Sequence, residues 1–225
     1  MEYVEVARAR TPRGEIVLRE RRPEDACRPA VLELRVNGVF VMDTAETGTE
    51  RALARMALEL VASPRDVLIG GLGLGFTAHE VLGDPRVERV VVAEIEDPIV
   101  QWLREGTIPH GPTYLADSRL TVVTLDLADA VAEAGPGSYD LVLLDVDNGP
   151  GYLVHAHNAA VYEAPFLRAV RERLRPGGAL AVWSADPAPR LQRDLEAVFG
   201  AVVVSPLDVR LQERAEQYWL YLARG

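Results

Sequence analysis

Lysine is absent from this 225-residue chain, and cysteine occurs once, at Cys27. One cysteine allows no intrachain disulfide and no cysteine-based metal centre, and no other metal site is expected. Long apolar runs are also missing. A membrane span needs roughly 20 consecutive apolar residues, so no membrane partner is expected. The opening stretch, MEYVEVARARTPRGE, is charged from its second residue and lacks the apolar core of a signal peptide. A cytoplasmic location is the expectation that follows. Basic residues are too few for one further class: 24, all arginine, face 34 acidic ones, for a net charge of −10. Wrapping a phosphate backbone needs a basic surface, so no nucleic-acid partner is expected. The same balance suits a cationic small-molecule acceptor, although acidic charge serves solubility equally well.

What is present is enough apolar residue, 48% of the chain, to bury one sizeable core. Residues 2–9, 15–20 and 31–42 alternate apolar and polar positions, as half-buried strands do. Asn37-Gly38 between two valines is a two-residue hairpin signal. Residues 1–45 therefore read as a small antiparallel β unit. From Thr49 to Ala62 the apolar spacing turns helical, with Thr47 or Thr49 as N-cap and Ser63-Pro64 as the stop. Short apolar runs then alternate with helical stretches. The strands are Asp66–Ile69, Arg89–Glu94, Leu120–Asp126, Tyr139–Asp145 and Ala179–Trp183. The helices are Phe76–Leu82, Asp97–Arg104, Ala164–Leu174 and Pro189–Phe199. Two strand-like runs, 201–204 and 217–222, close the chain. Residues 46–225 thus predict an α/β, Rossmann-like domain with a mostly parallel seven-stranded sheet.

In such sheets ligands lie beyond the carboxyl ends of the strands, near the point where strand order reverses. Four strands here end in suitable residues. The first runs into Gly71-Leu72-Gly73-Leu74-Gly75, where glycine permits positive φ and close approach of a ligand to the backbone. A tight strand-to-helix turn needs glycine for the same steric reason, so the cluster alone decides little. Glu94 follows 19 residues after Gly75, at a place where a carboxylate can accept both hydroxyls of a ribose. Asp126 could accept from an adenine amino group or cap the next helix. Asp145-Val-Asp147-Asn148-Gly-Pro forms a polar loop whose carboxylate could orient an amine or take its proton.

These residues resemble the spermidine synthase family, the polyamine aminopropyltransferases within the class I methyltransferase fold. Family members read VLIIGGGDGGxxREV and then VEID, where this chain reads VLIGGLGLGFTAHEV and AEIE. The resemblance runs from the N-terminal β unit through Arg175-Pro-Gly-Gly. It implies that Gly71, Gly73 and Gly75 line the methionine part of S-adenosylmethionine or its decarboxylated form. It places the ribose at Glu94 and the adenine at Asp126, with Ile95 and Leu127 also among the cofactor-binding residues. Asp145 falls on the first Asp of the family's DSSDP loop, which gives it contact with the donor and, with Asp147 or Asn148, a catalytic role toward the reacting amine. Two positions depart from the pattern. Leu74 stands where GGGDGG carries the Asp that faces the aminopropyl tail, and Asn148 stands at the second Asp of DSSDP. The family's Tyr-His-Glu segment is also absent, with Thr49-Glu50-Arg51-Ala52 near its place.

The remaining candidates carry bland expectations. His155 and His157 follow the polar loop and read as loop residues, and His79 as structural. Tyr152, Tyr162 and Trp183 could wall an acceptor pocket or simply pack. Trp219 reads as core or a dimer contact, and the N-terminal β unit is a candidate for pairing into a homodimer. Three functions are in play. The first is an S-adenosylmethionine-dependent transferase that methylates a small nucleophile. The others are a polyamine aminopropyltransferase and a non-catalytic nucleoside-binding protein. A nicotinamide-dinucleotide enzyme is disfavoured, because the third glycine comes one residue early for GxGxxG.

Overall fold

The computed structural model describes residues 2–25, 27, 29–212 and 214–225. Two sheets form. The first is antiparallel, in the order β1 (Glu2–Thr11), β2 (Gly14–Arg22), β3 (Val31–Val36), β4 (Val39–Asp43). The Asn37-Gly38 turn divides the 31–42 stretch as its hairpin chemistry requires, with both residues at positive φ (51° and 77°). Helix α1 (Gly48–Leu60) then leads into the second sheet.

That sheet contains β5 (Asp66–Gly70), β6 (Arg89–Glu94), β7 (Leu120–Thr124), β8 (Tyr139–Leu144), β9 (Leu174–Ser184), β10 (Val202–Leu211) and β11 (Arg214–Arg224). Between them run α2 (Phe76–Leu82), α3 (Asp97–Glu105), α4 (Gly111–Tyr114), α5 (Leu127–Glu133), a 3-10 turn at Ala156–Tyr162, α6 (Ala164–Arg173) and α7 (Pro189–Phe199). The spatial order is β10-β11-β9-β8-β5-β6-β7. β5 to β9 are parallel and β11 enters antiparallel. This is the Rossmann-like class I methyltransferase arrangement. Strand order reverses between β5 and β8, which is where a ligand cleft belongs.

The central parallel strands are buried on both sides, every residue of β8 included, whereas the edge strand β7 is half-exposed. On one face α5, α6 and α7 supply Val131, Leu167, Val170 and Leu195 to the core. On the other, α1, α2 and α3 join the antiparallel sheet. Ile16, Leu18, Leu34 and Met42 share one apolar cluster with Leu53, Ile69, Leu143 and Trp183. The small sheet is thereby fixed over one end of the large one.

The tail differs from the sequence expectation. β10 and β11 form a hairpin of ten and eleven residues rather than two short runs. Ser205-Pro206 and Asp208 break the apolar pattern, but β10 is the sheet's edge, where proline is tolerated. β9 likewise begins at Leu174, so Arg175-Pro-Gly-Gly enters a strand with a register shift rather than ending a helix freely. Among the described residues no helix is long and apolar enough to cross a membrane.

Candidate active site

Backbone hydrogen bonds lock the strand ends together before any side chain is considered. Gly71 N–H donates to the Ala93 carbonyl (2.9 Å) and Asp145 N–H to the Gly70 carbonyl (2.9 Å). The chain crosses so closely here that a Cβ on Gly71 would sit 2.1 Å from the Asp145 carbonyl oxygen, and Gly71 has φ +90°. Glycine is therefore required by the fold itself. Gly73 (φ +49°) is pressed by Met42 of β4, whose Sδ would lie 2.5 Å from an added Cβ. Gly75 (φ +89°) starts α2 and faces Tyr114.

A cleft opens beyond these strand ends. Gly71, Gly73, Glu94, Ile95, Asp126 and Leu127 line it, and Asp145 and Asp147 line it on the β8 side. Of the residues that the family resemblance singles out, Gly75 and Asn148 lie outside the lining. Asn148 is buried and its amide donates to the Phe40 carbonyl (3.2 Å), so it braces β4 rather than facing the cleft.

Glu94 is buried, and its two oxygens accept from the Leu72 and Glu96 N–H groups at 2.8 Å each. The carboxylate thus ties the glycine loop to the end of β6, and burial raises its pKa. Asp126 lines the cleft and also caps α5, accepting from Ala128 N–H at 2.8 Å. The capping expectation is met, and the residue also faces the cleft.

Asp145 stands at the centre. One carboxylate oxygen accepts from the Thr77 hydroxyl at 2.5 Å. Burial pushes its pKa up to about 6, against the lowering effect of that hydrogen bond. Asp147 has a different task. It adopts left-handed φ (60°), which Asp tolerates better than most residues, and its carboxylate gathers the following loop. Val154 N–H (2.6 Å), Asn158 Nδ2 (2.9 Å), Asn148 N–H (3.0 Å) and His155 N–H (3.2 Å) all donate to it. A carboxylate so engaged shapes the loop and has little left for a substrate. His155 lines the cleft, whereas His157 is exposed. Tyr162 donates its hydroxyl to the Val146 carbonyl and supports the loop from beneath.

Two carboxylates that were not among the sequence-predicted site residues join the lining. Glu50, in the first turn of α1, is buried with Thr49 donating to it at 3.0 Å. Burial first, and the charge of Asp145 second, push its pKa up to about 8. Its signal was available: Glu50 shares the helix face of Leu53, Ala54 and Ala57, so an acid sits on the buried side of an amphipathic helix. Asp43 sets up that turn by accepting from the Ala45 and Glu46 N–H groups at 2.9 Å each. Glu96 is the second: it occupies the N-cap position of α3, and its side chain pairs with Arg13 of the β1–β2 turn (Nε to Oε1, 2.8 Å). That contact clamps the small sheet to the end of β6.

Leu74 is fully buried and lies outside the cleft lining, with its N–H on Met42 Sδ (3.2 Å) and its carbonyl on His110 Nε2 (2.8 Å). No carboxylate stands at that position of the loop. Leu34, Val36, Val41 and Met42 instead give the cleft an apolar wall on the side of the small sheet.

Comparison with known proteins adds the following. Residues 46–195 match the model of the spermine/spermidine synthase domain. Putrescine N-methyltransferase 3 of Nicotiana tabacum is 34% identical over 149 residues, which are 62% of this chain and 37% of that protein. Polyamine aminopropyltransferase 2 of Pseudomonas aeruginosa is 35% identical over 150 residues, 62% of this chain and 41% of that protein. The matched part thus spans about two fifths of these relatives' length. The crystal structure of spermidine synthase from Thermotoga maritima superimposes with a TM-score of 0.83 at 18% identity, over 98% of this chain and 72% of that one.

Proposed function

Since this chain belongs to the spermine/spermidine synthase family, we propose that it is an S-adenosylmethionine-dependent transferase that methylates a small amine. The observation that carries the choice of donor is Leu74. A decarboxylated donor ends in an aminopropyl ammonium, and a buried ammonium without a carboxylate costs several kcal/mol. The glycine loop offers it a leucine turned into the core.

The fit of the donor is supported by the order of groups along the cleft. Glycine backbone comes first, the carboxylate of Glu94 second and Asp126 with Leu127 third, each at the end of a successive parallel strand. S-adenosylmethionine, when bound, supplies a methyl group already activated by its sulfonium. The work left to the chain is alignment and proton removal. Asp145 is the group for the second task. A carboxylate with a pKa of about 6 is ionised at neutral pH yet basic enough to take an ammonium proton. Thr77 holds one of its oxygens and leaves the other for the amine.

Label transfer from methyl-labelled S-adenosylmethionine to a panel of amines tests this reading. Asp145→Asn is expected to cut transfer by about 100-fold or more while leaving donor binding intact. A variant that binds the donor and keeps full transfer removes Asp145 from the mechanism.

A second reading, aminopropyl transfer to a diamine, draws on the aminopropyltransferase relative. The acidic pair Glu50 and Asp145 is compatible with it, since that pair would receive a cation in either reaction. Decarboxylated donor binding more tightly than S-adenosylmethionine would favour it. Donor binding without turnover on any amine would favour a non-catalytic nucleoside-binding protein.

A further inference from the structure

We propose that the acceptor is a monoamine carried on an apolar ring and bearing one neutral oxygen, rather than a linear diamine. The inference rests on the transferase reading of the same cleft.

The acidic groups are divided between two ends. Glu94, Glu96 and Asp126 stand at the ends of β6 and β7, on the nucleoside side. Beside Asp145, among the described residues of the lining, only Glu50 remains uncommitted, and it feels the charge of Asp145. Asp147 is spent on four donors, Asn148 is turned to the Phe40 carbonyl and Leu74 is in the core. The pair can balance one cationic centre. The distal ammonium of an extended diamine would meet Leu34, Val36, Val41 and Met42 instead, and an unpaired charge against apolar side chains is strongly disfavoured. That wall is suited to a hydrocarbon or aromatic body.

Trp183 supplies the third element. It lies at the end of β9 next to the β8 end that carries Asp145, lines the cleft and is 6% exposed. Tyr218 packs edge-on against its ring at 4.9 Å, which holds the indole in place. Its Nε1–H is buried without a hydrogen-bond partner among the described residues. Buried indole donors ordinarily find an acceptor, and leaving one unpaired costs stability. A ligand oxygen would satisfy it. That oxygen must be neutral, since a carboxylate would be repelled by Asp145. A phenol, alcohol, ether or carbonyl meets the requirement.

Calorimetric titration of the full chain with tyramine, phenethylamine and putrescine tests the inference, and S-adenosylhomocysteine is titrated separately. Tyramine is expected to bind about fivefold more tightly than phenethylamine, the worth of one net hydrogen bond, and putrescine to bind most weakly. Trp183→Phe should abolish the advantage of tyramine over phenethylamine. Putrescine binding as tightly as tyramine overturns the inference. So do a variant that keeps the fivefold advantage of tyramine and a failure of either aromatic amine to bind. Should Trp183→Phe not fold, the order of the three amines on the wild-type chain decides. Failure of S-adenosylhomocysteine to bind counts against the transferase reading and leaves the amine order to judge this one.

Discussion

Replacing Glu50 by Gln removes one buried ionisable group while keeping its shape and its capacity to accept from Thr49. The folded-state pKa of about 8 lies far above the ordinary 4.5. Between those two pH values the folded chain holds a proton that the unfolded chain has lost, so stability falls as pH rises. The contribution is fully present below the unfolded value and gone once pH passes the folded one. Its slope is about 1.4 kcal/mol per pH unit. From pH 5.5 to 7.5 the wild type should therefore lose at most about 3 kcal/mol relative to Glu50→Gln, which cannot ionise. For a chain of this size that is about 6–12 °C in Tm. The assay is thermal unfolding of both proteins across pH 5 to 9, read as the difference between them. The gap should be small near pH 5, widen in favour of the variant and level off above pH 8. A difference that stays flat across the range would refute the reasoning, because it would mean that Glu50 is not held protonated in the folded state.

Three other substitutions probe the frame around the cleft. Gly71→Ala places a Cβ against the Asp145 carbonyl at positive φ; about 2–4 kcal/mol of stability should be lost, with donor binding, as melting and calorimetry can check. Asp147→Ala releases four donors, so amide hydrogen exchange should rise across residues 148–158 with a stability loss of about 2–3 kcal/mol. Leu74→Asp restores the family's residue type at a fully buried position; it should destabilise the chain by about 3–5 kcal/mol in denaturant titration and shift the donor preference toward the decarboxylated form.

The order of the elements and the strand-end acids were legible because they follow from local pattern. Short apolar runs between helical stretches specify a covered parallel sheet, and such a sheet puts Gly71, Glu94, Asp126 and Asp145 at one edge whatever else the chain does. The lengths of β10 and β11 were not legible, since pairing at a sheet edge outweighs the broken apolar pattern around Pro206. Within the site, the sequence reading put Asp145 first with Asp147 assisting, without showing what Asp147 does. What separates them is the loop's return path, which brings Val154, His155 and Asn158 onto Asp147 alone. Glu96 likewise depends on contact over long sequence distance, because its partner Arg13 is 83 residues away. Glu50 could have been found, as an acid on the apolar face of α1, but local sequence does not say that this face meets Asp145.

Parallel calorimetric titrations with S-adenosylmethionine and its decarboxylated form test the central claim most directly. Tighter binding of S-adenosylmethionine is the expected result, because the loop carries Leu74 where an ammonium would need a carboxylate. Tighter binding of the decarboxylated donor, or no binding of either, would contradict it.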